Sequence, residues 1–314
     1  MPRTPTLYLG EFDVARKSGA LAITTGDAIL DIWSFELDER PLVGRQEARG
    51  TTWYGTPAAS LDGQVLFYFR GDALGDNIYR LDRRSGVEEA LTAESGAGAT
   101  DVRLSSDGTR LAYARNSEGR LLQQMDVTSR RVTSMSMATG ATFTPVPPRG
   151  FLAQAAGGGL SYLDSLGGAL RPLTTPDSLN VISFAIAPDG VTAFFVARES
   201  HSKGTSPATI VGRVSIEGGA VTRLATLSEP LGPPPSISVT LDGNLFVSRW
   251  IPGNARPSLW RMPLSGGPLV RFVDLPEACK PSVTVVNWNG KTVTCIVEDY
   301  RSDVWVVNLG RATR

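Results

Sequence analysis

Residues Val102 to Asp126 read VRLSSDGTRLAYARNSEGRLLQQMD. A short apolar-alternating run leads into Asp107-Gly108, and a second run follows from Arg110 to Ala114. The polar loop Asn116–Gly119 then opens a third run, Leu121–Val127. An Asp-Gly pair favours the positive φ angles of a tight hairpin, and period-2 alternation marks half-buried strands. The stretch therefore predicts a three-stranded antiparallel meander.

The same unit recurs along the chain. Its first turn falls at Ser18-Gly19, Asp62-Gly63, Asp107-Gly108, Arg149-Gly150, Asp189-Gly190, Asp242-Gly243 and Asn289-Gly290, spaced by about 44, 45, 42, 40, 53 and 47 residues. A period of roughly 40–50 residues is that of a four-stranded propeller blade. A second marker keeps step with the first: Trp33, Tyr79, Leu122, Tyr162, Val211, Trp260 and Trp305 occupy matching places on the third run. A Gly-rich turn and a short fourth run follow, as in Glu217-Gly218-Gly219 and Ser265-Gly266-Gly267.

The predicted fold is all-β, a single β-propeller domain over residues 1–314. Seven blades are favoured, near 10–48, 52–92, 99–135, 140–174, 180–226, 235–273 and 281–310. Six is the alternative, should the fourth unit fail, because Pro145, Pro147 and Pro148 crowd its first strand and proline cannot donate to a ladder. A circular array needs closing, since an open edge invites aggregation. Thr6–Leu9 is expected to close it by pairing with Asp303–Val307.

Composition narrows the function. Lys+Arg and Asp+Glu are both 31, so the net charge is zero, against the basic excess of a nucleic-acid binder. Two Cys and one His argue against a zinc site of the usual kind. No apolar run approaches the roughly 18 residues of a membrane span, and the first residues lack the apolar core of a signal peptide.

The units SSDGTRLAYAR (Ser105–Arg115), APDGVTAFFVAR (Ala187–Arg198) and SLDGQVLFYFR (Ser60–Arg70) resemble the WD-like β-propeller repeat of the TolB type over nearly the whole chain. Phe12–Phe35 and Cys295–Val307 look like the first and last blades of propellers fused to bacterial serine/threonine protein kinases. The chain carries no kinase motifs, so the resemblance implies a fold and a lineage, not kinase activity. It implies a sensing or interaction module, extracytoplasmic if this is the detached domain of a membrane kinase.

Catalytic signatures are absent or broken. Gly159-Leu160-Ser161-Tyr162-Leu163 lacks the last Gly of a nucleophile elbow, and His201 lies in a polar loop. Gly290-Lys291-Thr292 lacks the upstream Gly of a phosphate loop. The Asp-Gly carboxylates are spread one to a blade and cannot converge on an ion. No catalytic residue, cofactor or metal is expected. An extended hairpin about Asn289-Gly290 leaves Cys279 roughly 16 Å beyond the partner of Cys295. Two buried or partly buried thiols are expected, unless Pro281 turns the chain back sharply.

Function in a propeller usually sits on the face built by second-to-third-strand loops and blade crossings. Glu199–Ala208, Trp250–Pro257 and Asp299–Ser302 are the candidates, with Glu199, His201, Lys203, Trp250, Asn254, Arg256, Tyr300 and Arg301 as candidate contact residues. Aromatic and Arg side chains favour interface hot spots. The expected function is non-enzymatic binding of a protein, a peptide or a small ligand by a monomer, at the loop face or channel mouth. The alternative is a hydrolase or lyase with a central-channel site. The channel-lining runs Ser183–Ala187, Ser236–Thr240 and Ser282–Val286 are apolar with Ser and Thr, which weighs against it.

Overall fold

The computed structural model describes residues 8–14, 20–51, 57–72, 75–93, 99–117, 119–136, 142–147, 150–154, 157–164, 169–175, 178–199, 208–227, 234–251, 253–254 and 256–308. Apart from one 3-10 turn, Pro281–Val283, every regular element among them is a strand. The strands form six antiparallel sheets, each one blade, numbered here along the chain. Blade 1 runs from Ala58 to Ala90, blade 2 from Ala99 to Ser136, blade 3 from Phe143 to Pro172, blade 4 from Leu179 to Leu227 and blade 5 from Ile237 to Asp274. In each the four strands lie side by side in sequence order.

Blade 6 is built from both ends of the chain. Its inner strands are Val285–Val286 and Thr292–Asn308, its third is Ala20–Glu36 and its fourth is Gly44–Thr51. Ala20–Glu36 pairs with Thr292–Asn308 residue for residue, from Ala20 opposite Asn308 to Glu36 opposite Thr292. The blade count is therefore six, not the favoured seven, because the first and last sequence units are two halves of one blade. Trp33 is that blade's third-strand residue, whereas Trp305 sits on its second strand, opposite Ile23. The proline-rich unit did not fail. Its Pro145 lies on the innermost strand, which is paired on one side only, so its missing N–H costs no ladder bond. Closure also differs from expectation: Asp303–Val307 pairs with Leu21–Thr25, while Tyr8–Val14 pairs on the other side of that strand. Thr6 and Leu7 lie outside the described residues.

Six apolar clusters fill the six spaces between neighbouring blades. Consecutive residues of a middle strand point into different spaces. Leu111 and Tyr113 pack toward blade 1, and Ala112 and Ala114 toward blade 3. Phe194 joins the blade 4–5 cluster and Phe195 the blade 3–4 cluster. The second strands are thus buried on both faces, not half-buried. That is why they read as near-continuous apolar runs such as AFFVA.

In blades 1, 2, 4 and 6 the first turn is a four-residue loop rather than a two-residue one. In blade 1, Ser60 N–H bonds Val65 O at 2.8 Å and Gly63 N–H bonds Ser60 O at 2.8 Å. Only the glycine has positive φ, +72° at Gly63 and at Gly108. The aspartate works by its side chain. Asp107 Oδ1 accepts from Ser105 Oγ at 2.5 Å and Thr109 N at 3.1 Å, and Ser105 Oγ accepts from Arg110 N at 3.0 Å.

These bonds favour the carboxylate. Hydrogen bonds from Ser60 and Gln64 lower the pKa of Asp62 from its ordinary value of 3.8. Burial opposes ionisation of Asp107 and Asp189, but hydrogen bonds from their own turns outweigh it, and both are lowered. A carboxylate with a depressed folded pKa contributes stability above its unfolded pKa, which is lost as pH falls through the folded value. Unfolding midpoints should stay flat from neutrality to about pH 5, then fall steeply below about pH 4. Asp107→Asn and Asp189→Asn together should flatten that fall in urea titrations. An unchanged slope would remove the turns from the acid response.

Cys279 and Cys295 form a disulfide, with Cα atoms 5.6 Å apart. The expectation of two thiols rested on an extended strand from Thr284 back to Cys279. Instead Pro281–Val283 turns the chain, Thr284 Oγ1 bonds Lys280 O at 2.7 Å, and Lys280 N–H bonds Ile296 O at 3.0 Å. Cys279 then bridges Val297 and stands beside Cys295.

Candidate binding face and channel

The innermost strands run toward the first-turn side of the disc and surround a cavity of about 120 Å³ on its axis. All six blades line it, through Ala58, Arg103, Thr144, Ser183, Ser238 and Val285 among others. Arg103 is its only charged residue among the described ones. Three serines that could look like nucleophiles are engaged between blades. Ser238 Oγ accepts from Val286 N at 3.0 Å, Ser236 Oγ donates to Thr284 O, and Ser248 Oγ donates to Pro281 O at 2.7 Å. They tie blade 5 to the closing blade. Asn287 lines the cavity at 1% exposure, and its Nδ2 has no hydrogen-bond partner within the protein. Asn287 stands two residues before its turn, where Ser60, Ser105 and Thr240 stand in other blades. That departure from the repeat is the signal that would have found it. Among the described residues no group of His, Cys, Asp and Glu could hold a metal.

The opposite face carries the second-to-third-strand connections. In blades 1 to 5 the second strands have 4 to 8 residues, whereas Thr292–Asn308 has 17. Its second half and Ala20–Ala28 run on together, with Tyr8–Val14 along the outer side, so a three-stranded ribbon leaves blade 6 at this face. About nine further residues at about 3.3 Å each give it roughly 30 Å.

The sequence-predicted contact residues divide accordingly. Glu199 ends a blade 4 strand, holds the loop base through its N–H to Ala208 O at 2.9 Å, and is ion-paired with Arg223. His201 and Lys203 lie outside the described residues. In blade 5, Trp250 Nε1 donates to Asn254 O at 3.1 Å, Asn254 N–H bonds Ile251 O at 3.0 Å, and Arg256 is exposed. Tyr300 and Arg301 are not on a loop. They lie in the ribbon, opposite Ala28 and Asp27. The three segments belong to consecutive blades and share one face.

Sequence reasoning passed over Arg249, one residue before the blade 5 loop. Arg249 is 4% exposed and its guanidinium carbon lies 4.8 Å from the Trp260 ring centre. Nothing local in the sequence separates it from a solvated strand-end arginine.

No protein-family model and no curated protein matches the chain. Among solved structures it is similar to a putative TolB from Agrobacterium tumefaciens, with a TM-score of 0.65 and 16% identity over 87% of this chain and 99% of that one. TolB from Acinetobacter baumannii gives 0.57 and 14% over 93% of this chain and 79% of that one. The β-propeller domain of the Trilobed protease from Pyrococcus furiosus, described as having an open velcro topology, gives 0.53 and 12% over 84% of each chain. Identities this low carry the fold alone. The fold is that of the TolB-type propellers, as the repeat resemblance implies.

Proposed function

We propose that this chain is a non-enzymatic interaction propeller that engages a protein or peptide partner at the face shared by the blade 4 and 5 loops and the blade 6 ribbon. The observation that carries the reading is the adjacency of these three segments on one side of a rigid six-bladed disc. Loops on such a scaffold can diverge without disturbing the core, and Trp250 with Arg256 supplies the residue types that dominate interface energies. Glu199, His201, Lys203, Asn254, Tyr300 and Arg301 complete the proposed contact set. The buried disulfide supports an extracytoplasmic setting, where oxidised cysteines persist, and with it the role of a sensor or adaptor domain. A channel hydrolase or lyase has less support, because among the described residues the cavity offers one cation, and its Ser236 and Ser238 are already bonded between blades.

The test compares three forms in affinity capture with quantitative mass spectrometry: the native chain, a Glu199→Ala/Trp250→Ala/Arg256→Ala variant, and Leu241→Asp on the first-turn side, where Leu241 is 53% exposed. Native chain and Leu241→Asp should retain the same partner, and the triple variant should lose at least about tenfold of it. Equal capture by all three would discard the proposed face.

A further inference from the structure

The axial cavity holds a polar group that the protein leaves unserved. Asn287 is 1% exposed, and its Nδ2 has no hydrogen-bond partner among the described residues. Its Oδ1 is taken from the side of the second strand, where it accepts from Thr294 Oγ1 at 3.4 Å. Nδ2 is the arm turned away from that bond. Across the blade boundary it is flanked by Gly63, where even an added Cβ would stand 3.6 Å away, so this residue offers it no side chain. An amide nitrogen carries two N–H donors and accepts nothing, so the group missing here is an acceptor. Burying such donors unpaired costs free energy that a bound acceptor recovers.

The turn does not need this amide. In blades 1, 2 and 5 the same place holds Ser60, Ser105 and Thr240, whose hydroxyls bond the aspartate of their own turn. Blade 6 has Asn289 in place of that aspartate, and its Oδ1 accepts from Lys291 N at 2.9 Å, not from Asn287.

The rest of the lining sets size and charge. The cavity measures about 120 Å³. One of about 150 Å³ admits benzene, so about five or six heavy atoms fit here. Phe184, Val239 and Val285 give it apolar surface. Arg103 is engaged on its own account, with Nη1 on Val102 O at 3.4 Å among its contacts. An ion entering the cavity would lose its water with no counter-charge set aside for it, which a neutral molecule does not suffer. Water alone meets Nδ2 but turns its other bonds toward apolar walls, whereas a carbonyl on an apolar body suits both parts of the lining.

We propose that the axial cavity is a binding site for a small neutral carbonyl compound, an amide or lactam of about six heavy atoms, whose oxygen accepts from Asn287 Nδ2 and whose body lies against Phe184, Val239 and Val285. The loop face proposed above lies on the other side of the disc, and the two sites stand or fall separately.

The test titrates 2-pyrrolidinone into the whole chain, with cyclopropanecarboxylate and pyrrolidine as the anionic and cationic counterparts of similar size. Ligand-detected NMR reads affinity, and isotope-edited NMR reads the Asn287 side-chain amide. The lactam should half-saturate below about 20 mM and shift that amide, and both ions should bind at least about tenfold more weakly. Asn287→Leu removes the donor without breaking a bond made by Nδ2, and should weaken binding at least about tenfold. Thr144→Phe is the second probe. Thr144 lines the cavity from blade 3, across the axis from blade 6, and its hydroxyl makes no hydrogen bond among the described residues. The larger ring should fill the cavity and abolish binding with Asn287 in place. Half-saturation above about 20 mM, less than about tenfold preference over either ion, an unshifted Asn287 amide, or undiminished binding to either folded variant would overturn the proposal.

Discussion

Deletion of residues 1–36 should leave a chain with no cooperative unfolding transition, whereas deletion of residues 1–19 should move the melting temperature by less than about 3 °C. The contrast follows from which strand closes the ring. Ala20–Glu36 is the third strand of blade 6 and pairs along its whole length with Thr292–Asn308. Its Leu30 and Ile32 pack against blade 1, and Phe35 faces blade 5, followed there by Leu37. Losing Leu30, Ile32 and Phe35 removes about 1.5–3 kcal/mol each, or roughly 5–9 kcal/mol together, which is the size of a whole domain's net stability. It also leaves the long blade 6 strand with an open edge, a template for aggregation. Tyr8–Val14 pairs only with the ribbon part of Ala20–Glu36, so its loss leaves all six interblade clusters intact. Ile32→Pro is a sharper probe. Ile32 is fully buried between Ile296 and Ala48, and proline there breaks a central ladder. Thermal melts followed by near-UV circular dichroism, with sedimentation to detect aggregation, distinguish the outcomes. A cooperative transition at the native temperature after deletion of residues 1–36 would refute this mode of closure.

The blade was legible in the sequence because its markers are local. A Ser or Thr two residues before Asp-Gly, and an apolar residue at a fixed distance on the third strand, report on a turn and a ladder within a few tens of residues. The blade count was not legible, because closure joins residues as far apart as Ser34 and Thr294, whose hydroxyls meet at 3.0 Å across 260 positions. Locally, each chain end carries a full set of markers, and only the long-range pairing makes the two sets one blade. The same limit applied to Tyr300 and Arg301. Asp299–Ser302 is polar enough to read as a loop, and its strand character comes from Ala20–Glu36 beside it. The channel was legible in kind, since its Ser and Thr content survives in the structure, but the use of those hydroxyls between blades was not.

Reduction of the Cys279–Cys295 disulfide should lower stability by about 3 kcal/mol and the melting temperature by about 5–8 °C. The loop it closes spans 16 residues, and cross-linking it restricts the unfolded chain more than it alters the folded one. The bond sits where the ring is closed. Its two residues belong to the cluster between blades 5 and 6 and stand on either side of the turn that returns the chain to blade 6. Without it, Lys280–Thr284 is held by Lys280 N–H to Ile296 O, by Ser248 Oγ on Pro281 O, by Ser236 Oγ on Thr284 O and by the Lys280–Glu298 ion pair, and each such hydrogen bond has a net worth of only about 1 kcal/mol. Cys279 and Cys295 are 1% and 0% exposed, so a reductant cannot reach the sulfurs in the folded state. The folded protein should therefore resist dithiothreitol for hours at 25 °C and become alkylatable only as it unfolds, with the rate of modification following the rate of opening. Cys279→Ala/Cys295→Ala should melt with the reduced chain rather than the oxidised one. Mass spectrometry after iodoacetamide, at rising urea, reads the first part, and calorimetry of the three forms reads the second. Rapid labelling of the folded chain, or equal melting temperatures for all three forms, would show that the bond neither lies buried nor holds the closing blade.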